Sequence, residues 1–314
     1  MIWLWFTIGF IGILLLFLLI SLVCFIIVFY SKPRKKYKEG EYPLPKEKIY
    51  KPYYSQLIAW IENARKIKKD DFEITSFDGL KLRGKYYECK KGAPLEILFH
   101  GYRGDGERDV SAGIERCFAL DRNVIIVDQR ASGTSEGNVI TFGIKERFDC
   151  VKWAEFASEK FGADTPIILS GVSMGASTVM MASKEKLPSN VKCVLADCGF
   201  TSPRDIIRKV ISKDMKLPAC IFYPFVKLGA RIFGRFNLEE TSPLECVKQS
   251  KLPIIFIHGD SDDYVPTEMS KILFDATFAR KNLTIIENAG HGLSYPVNKE
   301  KYLSALSDFE KKWK

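Results

Sequence analysis

The amino-acid sequence predicts an α/β protein with a mostly parallel, about eight-stranded sheet flanked by helices, a small helical cap and an N-terminal transmembrane helix. Two observations predict this architecture. From residue 72 onward, continuously apolar strand-like runs alternate with helical stretches, and residues 1–30 contain no charged side chain. Strands that are apolar throughout are typical of a parallel sheet covered by helices on both faces. With 314 residues, 46% of them apolar, the chain can bury such a core.

Residues 1–30 are predicted to form a retained transmembrane anchor. Thirty residues make a helix of about 45 Å, and about 20 residues already cross the hydrocarbon core of a bilayer. Trp3 and Trp5 lie near one end and Phe29 and Tyr30 near the other, as in the aromatic belts of membrane helices. A cleaved signal peptide has a basic start, a shorter apolar core and a cleavage site of small residues, and none of these is evident here.

The segment 31–71 is predicted to be a basic juxtamembrane linker followed by an amphipathic helix. Residues 31–70 hold twelve Lys or Arg and five Asp or Glu, which gives +7 of the chain's net charge of +9. Positive charge marks the cytoplasmic side of a membrane span, so we expect a single-pass protein of the cell membrane with its large domain in the cytoplasm. Because little positive charge remains elsewhere, a nucleic-acid-binding groove is not expected. The basic residues nearest the span are Lys32, Arg34, Lys35, Lys36 and Lys38.

Four prolines among charges indicate that residues 31–52 are an extended linker, and apolar spacing predicts a helix over 54–69. The main domain is predicted over 72–314 and begins with two antiparallel strands, 72–77 and 80–89, around the turn Asp78-Gly79. A helix is expected over 145–161. The interval at about 201–250 is too long for a simple crossover and is predicted to form a cap of two or three helices. The other strands are predicted at 97–99, 124–127, 167–169, 194–196, 254–257 and 283–286.

The pentapeptide 171–175, Gly-Val-Ser-Met-Gly, lies between an apolar strand-like run and a helix-like run of small residues. Glycines on both sides of a serine allow a sharp turn between strand and helix, which exposes the hydroxyl at the start of the helix. The unpaired N–H groups of a helix N-terminus can stabilise a developing oxyanion. Ser173 is therefore the candidate nucleophile.

Three histidines are the candidates for the base that takes the serine proton. His100 and His258 each end an apolar strand and precede a glycine, a position typical of a histidine that holds a loop. His291 follows the last predicted strand, in a loop that can reach Ser173, and is the preferred base. A carboxylate to orient the base is expected in the acidic stretch 260–263, which follows the penultimate strand.

These residues, in this order, resemble an α/β-hydrolase, and the resemblance covers residues 72–314. The acid motif of that superfamily, HGxxDxxVP, aligns with residues 258–266 and selects Asp262. Asp263 beside it, and Asp197 at the end of the preceding strand, are the alternatives. The resemblance therefore implies a catalytic triad of Ser173, Asp262 and His291.

The resemblance also implies an oxyanion hole formed by the backbone N–H groups of Tyr102 and Met174. Residues 128–137 are similar to the D-x-R-x-x-G-x-S segment of monoacylglycerol-lipase-like and serine-aminopeptidase-like members. Within this segment, Arg130 is interpreted as a brace between loops rather than as a substrate clamp. The resemblance is closest to bacterial hydrolases that carry an N-terminal membrane anchor.

The function implied is that of a membrane-anchored serine hydrolase that cleaves carboxylic esters, including lipid or acyl esters, through an acyl-enzyme. The first alternative is a serine aminopeptidase-like enzyme, and a catalytically silent binding module is the second. A peptidase of this kind needs an acidic group to hold the substrate ammonium. The sequence offers Glu239, Glu240 and Glu245 for that role. A silent module is disfavoured because all three triad members are present.

No cofactor or metal is expected. The eight cysteines show no CxxC pair and no zinc-type spacing, and only three histidines are available as ligands. Several cysteines lie within apolar runs, which suits a reduced compartment. The expected partners are a small-molecule or lipid ester and the membrane, with no nucleic acid.

Overall fold

The computed structural model describes residues 1–32, 37–38 and 40–311. Three members of the basic group beside the span, Arg34, Lys35 and Lys36, lie outside the described residues. Lys32 and Lys38 lie within them.

One sheet of eight strands forms the centre of the molecule, in the order β1-β2-β4-β3-β5-β6-β7-β8. β1 is antiparallel to β2 and β2 to β4, and every other neighbouring pair is parallel. The predicted mostly parallel sheet is therefore confirmed. The strands are β1 (Asp70–Thr75), β2 (Lys81–Tyr87), β3 (Leu95–Phe99), β4 (Asn123–Asp128), β5 (Ile167–Val172), β6 (Val191–Asp197), β7 (Ile254–Gly259) and β8 (Lys281–Ile286).

Helices flank the sheet and account for its nearly continuous burial. β3 and β7 are buried along their whole length, which explains why their sequences are apolar without alternation. The helices are α1 (Ile2–Val28), α2 (Tyr54–Lys66), α3 (Gly106–Val110), α4 (Ala112–Ala119), α5 (Glu146–Phe161), α6 (Met174–Ala182), α7 (Pro203–Lys209), α8 (Ala219–Ile232), α9 (Pro243–Gln249), α10 (Glu268–Ala276), α11 (Ser294–Val297) and α12 (Lys299–Lys311).

The interval between β6 and β7 contains α7, a π-helical turn (Val210–Asp214), α8 and α9. α8 is amphipathic, with Tyr223, Val226 and Ala230 buried. α7 and the π-helical turn pack against α8, whereas α9 packs against α6 and α10. The segment over 201–250 thus contributes both a helical layer outside the sheet and one helix of the main domain.

α1 is long and apolar enough to cross a membrane, with a mean hydropathy of 3.4 over its most apolar window. Its length and composition are those of either a membrane anchor or a signal sequence. The C-terminal half of α1 packs against α8, and Phe29 beyond it is fully buried against Phe142 and Phe236. The end of this apolar segment is therefore held by the main domain.

The expectation of an extended linker over 31–52 is wrong at its C-terminal end, where residues Lys48–Tyr53 form a 3-10 helix. This short helix follows Pro45, whose carbonyl oxygen accepts a hydrogen bond from the Tyr54 hydroxyl at 2.6 Å. α2 ends at Lys66, three residues before the predicted end. Trp60 of α2 is buried and lies against Tyr295, so α2 packs on the main domain.

Candidate active site

Ser173 occupies the sharp turn between β5 and α6, with φ 57° and ψ −116°. This backbone conformation is strained for a residue with a side chain. A methyl group at Gly171 would lie 2.2 Å from the carbonyl carbon of Gly175, and one at Gly175 would lie 2.0 Å from the carbonyl oxygen of Phe99. Only glycine fits at both positions, so the two glycines of the motif permit the close packing that fixes the serine.

Ser173, His291 and Asp262 form a continuous chain of hydrogen bonds. The Ser173 Oγ lies 2.9 Å from Nε2 of His291, and Nδ1 of His291 lies 2.7 Å from Oδ2 of Asp262. A carboxylate only accepts, so Nδ1 carries the hydrogen and Nε2 is free to accept the serine proton. This is the arrangement that a histidine general base requires.

The two other candidate acids lie elsewhere. Asp197 is buried, and its two carboxylate oxygens accept hydrogen bonds from the hydroxyls of Tyr302 at 3.0 Å and Ser294 at 3.1 Å. Burial raises the pKa of the Asp197 carboxyl. Asp263 is exposed. The structure therefore brings Asp262, and neither alternative, to the predicted base.

His291 is held in reach of the serine because the loops after β7 and β8 are bonded to each other. The backbone N–H of Asn288 donates to Oδ1 of Asp260 at 2.7 Å, and that of Ser261 donates to the carbonyl oxygen of Ala289 at 3.1 Å. A methyl group at Gly259 would lie 2.0 Å from that same Ala289 oxygen. Asp262 and His291, the candidate acid and base, are thus positioned by one pair of loops bonded to each other.

Asp262 is buried and accepts hydrogen bonds at both oxygens. Oδ1 accepts from the backbone N–H groups of Tyr264 at 2.9 Å and Val265 at 2.8 Å, and Oδ2 accepts from His291 and from Nε2 of His258 at 3.1 Å. Burial raises the pKa of the Asp262 carboxyl, but the hydrogen bonds from His258 and His291 outweigh it and hold that pKa well below its usual range. Asp262 is therefore ionised at neutral pH.

His258 is a second histidine bonded to the same carboxylate, a contact that no sequence pattern predicts. Its Nε2 also lies 2.9 Å from the carbonyl oxygen of Val265, which can only accept, so Nε2 carries a hydrogen. Its Nδ1 lies 2.6 Å from the hydroxyl of Ser270. The ring is fully buried and ties the acid loop to the end of β7 and to α10.

The loop after β3 approaches the nucleophile at the position expected for an oxyanion hole. A methyl group at Gly101 would lie 3.6 Å from Cβ of Ser173. The loop is fixed by the backbone N–H of Gly101, which donates to the half-buried carboxylate of Asp109 at 3.1 Å. Within the described part of the chain, the backbone N–H groups of Tyr102 and Met174 have no hydrogen-bond acceptor, so both remain available to an oxyanion.

The remaining histidine and Arg130 act as braces. His100 is fully buried, and its Nε2 accepts from the backbone N–H of Gln129 at 3.0 Å. Arg130 is 3% exposed and bonds the carboxylates of Asp149 and Asp78 at 2.6 to 3.0 Å. Since its guanidinium is bonded to two carboxylates, Arg130 braces loops, in agreement with the prediction from the sequence.

Two tyrosines beside His291 were not foreseen as part of the site. Tyr50, from the 3-10 helix, donates its hydroxyl to the backbone oxygen of His291 at 2.8 Å, and burial raises the pKa of Tyr50. The Tyr264 ring lies 5.0 Å from the His291 ring. No local spacing signals these contacts, because Tyr50 lies 241 positions before the residue that it touches.

One group of potential metal ligands lies at the site itself: Cys198, Asp262 and His291 have ligand atoms within 4.8 Å of one another. Burial raises the pKa of the Cys198 thiol well above its ordinary value, so the thiolate that a metal requires is disfavoured. The Nδ1–H of His291 already donates to Asp262. These three residues lie together because Asp262 and His291 are hydrogen-bonded to each other and the Cys198 thiol is their neighbour.

An apolar cluster extends from the nucleophile to the helices outside the sheet. Met174, directly after Ser173, belongs to the same group of buried side chains as Phe142 and Phe200 of the main domain, Phe25 of α1 and Val226 of α8. Tyr102 lies at its border, with its ring 4.9 Å from that of Phe142 and its hydroxyl donating to the carbonyl oxygen of Val28. The surroundings of the serine on this side are therefore apolar.

The sequence model of the prolyl oligopeptidase family matches residues 141–314, which include all three residues of the hydrogen-bonded chain. Among individual proteins, YqkD of Bacillus subtilis is 26% identical over 249 residues, 79% of this chain and 81% of that protein. The protein bem46 of Schizosaccharomyces pombe is 29% identical over 192 residues, 60% of this chain and 57% of that protein.

Solved structures share the fold. The Pyrococcus furiosus esterase Pf2001 superimposes with a TM-score of 0.65 and 21% identity, covering 91% of this chain and 98% of that one. The acylaminoacyl peptidase of Pyrococcus horikoshii superimposes with a TM-score of 0.59 and 17% identity, covering 80% of this chain and 42% of that one. At these identities the likeness concerns the fold, which is that of the α/β-hydrolases.

Proposed function

Because the chain belongs to the prolyl oligopeptidase family, within the α/β-hydrolase superfamily, we propose that it is a serine hydrolase that cleaves carboxylic esters through Ser173, His291 and Asp262. The observation that carries this proposal is the chain of hydrogen bonds from the serine hydroxyl through the imidazole to an ionised, buried carboxylate. Three residues from separate loops converge in the geometry that acyl transfer requires.

In the first half of the reaction, His291 takes the proton of Ser173 while Oγ forms a bond to the acyl carbon. The carbonyl oxygen becomes an oxyanion, to which the N–H groups of Tyr102 and Met174 donate. The tetrahedral intermediate collapses, the bond to the alcohol oxygen breaks, and His291 returns its proton to the leaving alcohol. Asp262 stabilises the imidazolium in between.

In the second half, water replaces the alcohol. His291 removes a proton from the water as its oxygen attacks the acyl-enzyme, and the oxyanion forms again in the same place. Collapse breaks the bond to Ser173, which regains its proton from His291, and releases the carboxylic acid. No further reactant is needed, because every proton that His291 accepts is returned within the same half-reaction.

Placement of the acidic residues favours an ester over the N-terminus of a peptide. Glu239 accepts from the Tyr223 hydroxyl and pairs with Lys227, and Glu240 pairs with Arg147. Two of the three carboxylates considered for a substrate ammonium are therefore engaged by cations of this chain. The esterase Pf2001 has the same fold, although acylaminoacyl peptidases share it too, so amide hydrolysis is the competing activity.

We expect the full-length protein in detergent to hydrolyse p-nitrophenyl esters, with kcat/KM rising from acetate to butyrate. Each buried methylene contributes about 0.8 kcal/mol, so two methylenes placed against the apolar cluster raise kcat/KM by about tenfold. The measurement is the rate across acyl lengths from two to sixteen carbons, with the Ser173→Ala protein as the blank. Higher activity on aminoacyl arylamides would identify a peptidase instead, and no activity on either would favour the binding module.

We propose further that α1 is retained as a membrane anchor, with the catalytic domain on the cytoplasmic side. The length and hydropathy of α1 support the anchor, and the charge of residues 31–70 supports the orientation. In sealed inside-out membrane vesicles, whose cytoplasmic face is outward, we expect an added protease to digest the catalytic domain. In right-side-out vesicles the domain should stay protected until detergent is added, and the reverse pattern would refute this orientation.

A further inference from the structure

α8 carries a stripe of four large apolar side chains, three of which are exposed in the described part of the chain. Ile221, Leu228 and Ile232 are 56%, 38% and 43% exposed. They are spaced, together with Phe225, at intervals of four, three and four residues, so they lie along one side of the helix. Exposed apolar stripes of this kind mark a contact surface. We call these four residues the α8 stripe.

The stripe lies directly beside α1. The rings of Phe17 and Phe225 are 5.6 Å apart. One α-helical turn further along both helices, a methyl group at Gly229 would lie 2.5 Å from the carbonyl oxygen of Ser21. After another turn, the rings of Phe25 and Phe233 are 5.9 Å apart. Each contact joins residues 208 positions apart, so the two helices run in the same direction. The exposed apolar side chains of α1 therefore continue into the stripe.

The composition of α1 indicates what covers the stripe. The hydrocarbon core of a bilayer takes about 20 helical residues, and α1 carries no charged residue from Ile2 to Val28. The residues of α1 that pack on α8, from Phe17 to Phe25, belong to this apolar segment. If α1 crosses the membrane, the part of α8 that packs on it therefore lies beside the span.

We propose that α8 is immersed in the membrane alongside α1 and that lipid acyl chains cover the α8 stripe. The inference rests on the membrane anchoring proposed above. The same offset of 208 residues sets Ile221 level with Ile13 of α1, well inside the apolar span. The N-terminal half of α8 then lies deeper in the bilayer than its C-terminal half.

The charges on α8 itself suit this placement. α8 carries Lys227 and Arg231 and no acidic residue, and both belong to its C-terminal half, which lies nearer the head groups. Long cationic side chains reach head groups from a buried backbone, and anionic lipids attract them. Lys227 also pairs with Glu239, which offsets one of the two charges. Deep immersion of the N-terminal end of α8 is opposed by the exposed charged residues directly before it, Lys213, Asp214 and Lys216.

The placement gives the enzyme a substrate class. The apolar cluster that begins at Met174 beside the nucleophile includes Phe25 of α1 and Val226 of α8. Packed apolar side chains therefore connect the surroundings of the serine with α1 and α8. Because the proposed immersion places these helices in the bilayer, we expect the preferred substrate to be an ester with an acyl chain from a membrane lipid.

A native cysteine provides the probe. Cys220 is exposed on α8 next to Ile221, and the other seven cysteines are buried or half-buried. The full-length protein, labelled in detergent with an environment-sensitive fluorophore, is reconstituted into phosphatidylcholine and phosphatidylglycerol vesicles that contain nitroxide-labelled acyl chains. We expect the label on Cys220 to lose most of its fluorescence to the nitroxide and to shift its emission to the blue.

Two variants provide reference values for the quenching of the label by lipid. Cys220→Ser combined with Ser189→Cys moves the label to an exposed residue before β6, where we expect no quenching by the lipid. Cys220→Ser combined with Ile8→Cys places it within α1, where we expect strong quenching. Ester hydrolysis in the same vesicles, with Ser173→Ala as the blank, tests the catalytic proposal separately.

The outcomes are distinct. Quenching at Ile8 with a Cys220 signal equal to that at Ser189 would overturn the immersion of α8 and leave the anchor intact. No quenching at Ile8 would overturn both the anchor and the immersion. A Cys220 label protected from aqueous iodide but not quenched by the lipid would mean that a second copy of the chain covers the stripe, which also contradicts the proposal.

Discussion

Replacing Ser173 with alanine is expected to reduce ester hydrolysis by a factor of about 10⁴ or more, to the level of the blank, without unfolding the protein. The substitution removes the only atom that attacks the acyl carbon in the proposed mechanism. The hydrogen bonds of His291 to Asp262 and of the Ser173 N–H to Asp197 stay in place, so the site keeps its structure. The measurement is kcat/KM for a p-nitrophenyl ester, together with covalent labelling by a fluorophosphonate.

A matched control for this variant is Ser170→Ala, three residues earlier, in β5. The Ser170 hydroxyl lies 3.4 Å from the guanidinium of Arg116 and takes no part in the triad. We expect this protein to keep its activity and its fluorophosphonate labelling. If the Ser173→Ala protein still reacted with the fluorophosphonate at the original rate, the nucleophile would be another residue and the mechanism proposed here would be wrong.

The parts of the fold and site that local sequence determines were predictable. The strand, sharp turn and helix around Ser173 follow from two glycines that no other residue can replace without a clash. The alternation of buried strands and helices follows from apolar runs of the right length, and the resulting sheet is as expected. The position of His291 after the last strand also predicted it as the base. The structure places its Nε2 2.9 Å from the Ser173 Oγ.

Contacts between distant segments were not predictable from the same patterns. Tyr50 lies in a stretch rich in proline and charge that reads as a linker, and its position depends on a hydrogen bond to a residue near the other end of the chain. The packing of α1 on α8 depends on matching Gly229 to Ser21, and apolar periodicity alone does not distinguish a lipid neighbour from a protein neighbour. Such pairings arise from tertiary packing, which local propensity does not encode.

The two adjacent aspartates allow the identity of the acid to be tested with a nearly isosteric pair of variants. We expect Asp262→Asn to reduce kcat/KM by about 10⁴-fold and Asp263→Asn to change it little. An amide at position 262 can donate to Nδ1 of His291, which favours the tautomer whose hydrogen is on Nε2, and that tautomer cannot accept the serine proton. The measurement is kcat/KM for a p-nitrophenyl ester across pH.

The pH dependence of stability provides a second test of the role of Asp262. The pKa of Asp262 is held well below its usual range, so its hydrogen bonds stabilise the native state at pH values above the ordinary carboxyl pKa and lose that contribution as the pH falls through the lowered value. We therefore expect the unfolding temperature of the original protein to exceed that of Asp262→Asn at neutral pH, and the difference to shrink in acid. Equal losses of activity in both variants would mean that the acidic loop acts through its overall charge and not through one oriented carboxylate.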